Sequence, residues 1–136
     1  MARLQSNPMN VLSLEAGADL SSSQYYAVQI DATAREVKVA GAGAAEGSHV
    51  LGVLQNKPVE GDVASVATGG TSLLIMADNC SIGEKIMSDA TGKGTPVDTD
   101  KYSVIGIALS ANANGTGGLI EILVTPGGVG QADESD

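Results

Sequence analysis

The chain alternates apolar and polar positions over short stretches and breaks each stretch with turn residues. In "SSSQYYAVQID", residues 21–31, Tyr26, Val28 and Ile30 alternate with Tyr25, Ala27, Gln29 and Asp31, the period-2 pattern of a half-buried strand. "REVKVA" repeats the pattern with Val37 and Val39 facing in and Glu36 and Lys38 facing out, and the polar "DATA" between the two predicts a hairpin. Further short strands are predicted in "VLGVL" (50–54), "VASVATGG" (63–70), "TSLLIMA" (71–77), "YSVIGIALS" (102–110) and "LIEILVTPGG" (119–128). In the last of these, Ile120, Ile122 and Val124 share one face. "GEKIMSDATGKGTPVD" reads as strand, turn and strand around Gly92, and the remaining connections carry Pro58, Gly61 and "ANANGTGG". No helix longer than a turn or two is supported. The one candidate, residues 42–47, is rich in glycine, which costs about 1 kcal/mol relative to alanine inside a helix.

The two halves of the chain follow one plan. "YYAVQIDAT" aligns with "EKIMSDAT", and "HVLGVLQNKPVEGDVASVATGG" with "SVIGIALSANANGTGGLIEILVTPGG". A duplicated β unit is the simplest reading, and chance similarity among Gly-rich turns is its competitor. Two copies are too few for a solenoid, so one shared barrel or sandwich-like core is expected. Gly52 and Gly106 fall at the same place in each copy, inside a strand, where glycine marks a bend, a bulge or a close backbone approach. The expectation is therefore an all-β fold with little helix, a small β-barrel or β-sandwich-like domain over residues 21–126. Residues 1–20 are expected to be an extended arm with a strand near 11–14, and residues 127–136 a flexible acidic tail. The arm carries Leu4, Pro8, Met9, Val11, Leu12 and Leu14, apolar residues that a folded monomer need not bury and that are candidates for contact with a partner or a neighbouring protomer.

Composition narrows the picture. In 136 residues there is no Trp and no Phe, only three Tyr, and 18 Gly, so the core must be built from small and branched aliphatics. Seven basic against sixteen acidic side chains give a formal charge of -9. That balance disfavours nucleic acid, whose phosphates require clustered Lys and Arg. No long apolar stretch predicts a membrane span or a signal peptide, so the protein is expected to be made and kept in the cytoplasm until it meets its partner.

Candidate chemistry is sparse. "TGKGT", residues 91–95, has Met87 where a phosphate loop needs its first glycine, and reads as a hairpin turn; "GAGAAE" has Glu46 where a dinucleotide fingerprint needs its third glycine. The single His49 cannot form a histidine metal cluster within one chain, and no serine lies in a Gly-x-Ser-x-Gly elbow. Cys80 has no clustered base in sequence and reads as a small buried hydrophobe. The acid pairs Glu60/Asp62 and Asp98/Asp100 sit in turns, where solvated carboxylates are ordinary. No catalytic, metal or cofactor-binding residue is assigned, and the chain is not expected to be an enzyme.

Three phrases carry a resemblance: "GVLQNKPVEGDVASVATGG", the "GEKIMSDATGKGTPV" turn and "VIGIALSANANGTGGLIEILVTPG". Over residues 21–128 the chain resembles the capsid decoration, or cement, proteins of tailed bacteriophages. That resemblance implies a compact β domain on the outer surface of the expanded head. There it would be a homotrimer at local three-fold axes, clamping neighbouring major capsid protein subunits, with no active site and often a terminal arm on the lattice. A virion-displayed carbohydrate- or receptor-binding β module is the alternative, although three tyrosines offer a sugar few aromatic platforms.

Overall fold

The structure, a computed structural model, describes residues 10–31, 35–41, 50–97 and 104–126. Among these residues every regular element is a strand. In chain order they are β1 (Asn10–Ala16), β2 (Ala27–Ile30), β3 (Glu36–Val39), β4 (Val50–Leu54), β5 (Val63–Gly69), β6 (Thr71–Ile75), β7 (Lys85–Ser88), β8 (Gly94–Pro96), β9 (Val104–Ala108) and β10 (Leu119–Val124). The first five close into a barrel in the order β1-β3-β2-β4-β5, and the second five form a sheet in the order β6-β10-β9-β7-β8.

The two orders are one order. Taking β1 with β6, β2 with β7, β3 with β8, β4 with β9 and β5 with β10, each pairing in the first unit has its counterpart in the second. Ala16 bridges Val37 in parallel, and Met76 bridges Gly94 in parallel, so the second sheet also meets itself, through a single bridge. Backbone bonds recur in register. Gly17 N donates to Val37 O and Ala77 N to Gly94 O; Gly61 N to Ala16 O and Gly117 N to Met76 O; Gln55 N to Ser65 O and Leu109 N to Glu121 O. Gly61 and Gly117 share positive φ angles of 90° and 93°. The duplication legible as similar phrases is thus a duplication of hydrogen-bond pattern, which chance similarity of turns would not produce.

Gly52 and Gly106 are equivalent here too. Gly52 pairs with Val28 and Gly106 with Ile86, and each pairing is followed by a register shift that leaves one residue, Leu51 or Ile105, as a bulge. A Cβ on Gly52 would sit 2.0 Å from the Ala67 carbonyl oxygen, and one on Gly106 would sit 2.1 Å from that of Leu123. Neither φ is positive, so what glycine supplies is room for the neighbouring strand's backbone rather than access to a left-handed conformation.

Two differences from the sequence reading follow from how the units pack. The expected single core is two clusters. Leu14, Ala16, Leu20, Val28, Val37, Leu54, Ala64 and Val66 fill the first barrel. The second cluster takes Leu74, Met76, Ile86, Ile105, Ile120, Ile122 and Val124 from the second unit, together with Ala27, Ala40, Val50 and Val53 from the outside of the first. Strand β2 is consequently buried on both faces rather than half-buried, with Val28 inside its barrel and Ala27 against the second unit. Ile30, expected inward, is exposed at the strand end. The Oε1 of the buried Gln29 side chain accepts the Gly41 N–H at 2.9 Å.

The arm is the other difference. Residues 10–16 are a barrel strand, paired antiparallel with β5 from Asn10↔Gly69 to Glu15↔Val63 and parallel with β3. Leu14, Ala16 and Leu20 are buried, so a division at residue 20 would cut through the first barrel.

Candidate contact surface

The sequence-derived site residues are spread along the molecule. Of the arm residues, Leu14 is inside the barrel, while Val11 and Leu12 are exposed on β1. Leu4, Pro8 and Met9 lie outside the described residues, as do His49, the acid pair Asp98/Asp100, Tyr102 and residues 127–136. Gly52 and Gly106 are buried in the two equivalent bulges and form no surface.

The turn residues are structural where the structure describes them. In "TGKGT", Asp89 Oδ1 accepts from Thr91 N at 2.8 Å, from Thr91 Oγ1 at 2.8 Å and from Lys93 N at 3.0 Å, closing the β7–β8 hairpin as expected. Its tip also joins the units, because Gly92 O accepts the Ala27 N–H at 2.8 Å. Asn112, which sequence reading passed over inside "ANANGTGG", is buried. Its Nδ2 donates to Asp78 O and Gly115 O, and its Oδ1 accepts from Asn114 N. One amide therefore holds two loops together. Cys80 is buried beside it, its Sγ 3.9 Å from Ser110 O, and desolvation pushes its thiol pKa up. Such a thiol is a poor nucleophile at neutral pH. Among the described residues no group of three or more His, Cys, Asp or Glu is arranged to hold a metal ion.

Open clefts among the described residues include two that bear on contact. One, of about 370 Å³, is lined by Ser13, Glu15, Arg35, Gly61, Asp62 and Val63 along the first barrel. The other, of about 260 Å³, lies between the units and is lined by Tyr25, Gln55, Thr71, Ser72, Leu73 and Glu121. Tyr25 holds a positive φ of 70°; its N–H bonds Leu54 O of the first unit and its carbonyl accepts from Ile75 N of the second. Gln55 Nε2 donates to Ser72 Oγ across the same seam.

An apolar surface lies on the outward face of β6, β10 and β9. Register puts Leu119 beside Ile75, Glu121 beside Leu73, and Leu123 between Thr71 and Ile107. The same register carried one step further puts Leu109 beside Glu121, to whose carbonyl its N–H donates. Leu119 is 50% exposed, Leu109 42%, and Leu73 and Leu123 38% each. The signal for this face was in the sequence: "TSLLIMA" and "LIEILV" place Leu73 and Ile75, and Leu119 and Leu123, on the strand side opposite the core set.

With this geometry in view, comparison with known proteins is decisive on family. The family model described as phage cement protein matches residues 15–125. The chain belongs to the phage cement protein family. It is a structural protein of the phage virion. This cement protein is similar in fold to the solved head fiber gp8.5 N base of bacteriophage phi29. The TM-score is 0.62 at 15% identity, over 87% of this chain and 95% of that one. No curated protein matches the cement protein. The family match begins inside β1 and ends just past β10, so it spans both copies of the duplicated unit.

Proposed function

We propose that this cement protein binds the outer surface of the expanded head and holds neighbouring major capsid protein subunits together, as a homotrimer at local three-fold axes. Its role is binding, without catalysis and without a cofactor. The observation that carries the reading is the family match across both β units. The physical character of the molecule agrees with it. Two small aliphatic cores joined by a shared seam make a rigid body, and strands closed on themselves leave few edges for unintended pairing. The formal charge of -9 suits a surface turned to solvent and away from packaged DNA. A partner that binds only the folded form stabilises it by mass action, and the reverse holds for the capsid.

Residues preceding β1, with Leu4, Pro8 and Met9, are the part of the chain proposed to reach the lattice, since Leu14 is committed to the barrel. The test is co-sedimentation of the purified protein with expanded heads that lack it, alongside a variant without residues 1–9. Full-length protein should pellet with the heads and the truncated form should bind more weakly. Undiminished binding by the truncated form would remove the arm from the proposal, and failure of both to bind would remove the head. The alternative, a displayed carbohydrate- or receptor-binding module, is favoured by one feature, the inter-unit cleft that sets Tyr25 among Gln55, Ser72 and Glu121. Binding to host cells or glycans without binding to heads would select it.

A further inference from the structure

The duplicated unit supplies its own control for deciding which surface residues the fold requires. The outward positions of β6 and β10 correspond, by register, to those of β1 and β5: Leu73 to Ser13, Ile75 to Glu15, Leu119 to Val63, Glu121 to Ser65 and Leu123 to Ala67. Leu109 corresponds likewise to Gln55, through equivalent backbone bonds to Glu121 and Ser65. The same fold is thus built in the first unit with Ser13, Glu15 and Gln55 where the second carries Leu73, Ile75 and Leu109, whereas Leu119 and Leu123 have the apolar counterparts Val63, which is exposed, and Ala67, which is buried. Neither strand pairing nor the inward core asks for an apolar side chain at Leu73, Ile75 or Leu109. Leu73, Ile75, Ile107, Leu109, Leu119 and Leu123 together form a patch on the order of 300–400 Å², within the range of the largest apolar patch on a typical single chain, which is often functional.

We propose that this face of β6, β10 and β9 is where copies of the cement protein meet one another. The proposal rests on the self-association part of the function proposed above and names the surface that performs it. The charges on this face fit a second copy as the occupant. Each chain has a formal charge of -9, so two copies repel over most approaches. The outward side of the first unit makes this worse, because Glu15 and Glu36 lie side by side on β1 and β3. The β6–β10–β9 face instead carries one acid, Glu121, among its leucines and one base, Lys85, which pairs with Ile107 at its border. It is nearly neutral, and its one acid and one base can be exchanged between copies. Beside it, the cleft lined by Tyr25, Gln55, Thr71, Ser72, Leu73 and Glu121 offers a recess for a neighbour's side chain. An apolar centre with an aromatic at its margin and a polar rim is the anatomy of a stable interface.

Sedimentation equilibrium of the full chain, without heads, tests this at concentrations up to on the order of 100 µM. The parent is expected to be an oligomer. Leu119→Glu and Leu73→Glu should each raise the dissociation constant on the order of 100-fold, since each would bury an unpaired charge at the contact. Val63→Glu, at the position of the first unit equivalent to Leu119, should change nothing, and at concentrations where every form is monomeric all three should melt like the parent because the side chains are exposed. An oligomer that persists in Leu119→Glu and Leu73→Glu overturns the surface and leaves self-association standing. A monomeric parent overturns both, and in that case loss of head binding by Leu119→Glu would give the face to the capsid instead.

Discussion

Adding a single methyl group at Gly52 or Gly106 should cost this protein a large part of its stability, by the same amount at both sites. Built on the observed backbone, the new Cβ of Gly52→Ala lies 2.0 Å from Ala67 O and 2.8 Å from Val66 Cγ1, whereas ordinary contact begins at 3.4 Å. The Ala67 carbonyl, or β4 itself, must therefore move by roughly 1.4 Å. Both partners are fully buried, and Ala67 pairs with Val53 in the β4–β5 ladder. Opening the ladder there loses about 1 kcal/mol per hydrogen bond, and a buried group left unpaired costs about 1–3 kcal/mol more. Overpacking adds about 1–3 kcal/mol. The sum is about 3–7 kcal/mol against a total stability of about 5–15 kcal/mol for an ordinary domain, a fall in Tm of about 10–25 °C. Gly106→Ala meets Leu123 O at 2.1 Å in the equivalent ladder and should fall equally. Gly41→Ala is the control, because nothing among the described residues lies within 4 Å of its new Cβ. The assay is thermal melting by circular dichroism with urea titration at 25 °C. If Gly52→Ala and Gly106→Ala both melt within about 2 °C of Gly41→Ala, the close-approach account of the two glycines is wrong.

Other parts of the structure make equally definite demands. Asn112→Ala should cost about 2–4 kcal/mol in urea unfolding, because it unpairs Asp78 O, Gly115 O and Asn114 N in one change; a loss below about 0.5 kcal/mol would mean the loops hold without it. Glu36→Lys should raise stability by about 0.2–1 kcal/mol by replacing the like-charge neighbour of Glu15 with an opposite one, and a decrease in Tm at low salt would contradict that. Cys80 should react with iodoacetamide at pH 8 far more slowly than free cysteine, since burial disfavours its thiolate. The sign for stability follows from the same shift. The unfolded thiol ionises first, so the contribution of Cys80 is present below the unfolded pKa and is lost as pH rises above it; Cys80→Ser should flatten that alkaline decline.

Much of the architecture was legible because its signals are local. Alternation in "REVKVA" and "LIEILV", the turn at Gly92, and the repeated Gly52 and Gly106 all report on a strand and its immediate neighbours. What was not legible depends on contacts distant in sequence. Strand β1 looks like an arm because its partners, β3 and β5, lie some twenty and fifty residues away, and its buried set, Leu14 and Ala16, is short. Only comparison with Ser72, Leu74 and Met76, sixty residues later, would have marked it as a barrel strand. The double burial of β2 is hidden for a related reason. Small Ala27 and polar Gln29 give no apolar signal, and only the second unit covers them. The apolar outward face was written in "TSLLIMA" and "LIEILV" but was not singled out, because a strand apolar on both sides does not say which side the protein itself covers.

The central claim, that this member of the phage cement protein family acts by bridging capsid subunits from outside, is tested most directly by reconstructing heads to which the purified protein has been added back. The account predicts added density on the outer surface at symmetry-related positions, one trimer at each local three-fold axis, touching more than one capsid subunit. Absence of added density, scattered copies, or density confined within a single capsid subunit would contradict it.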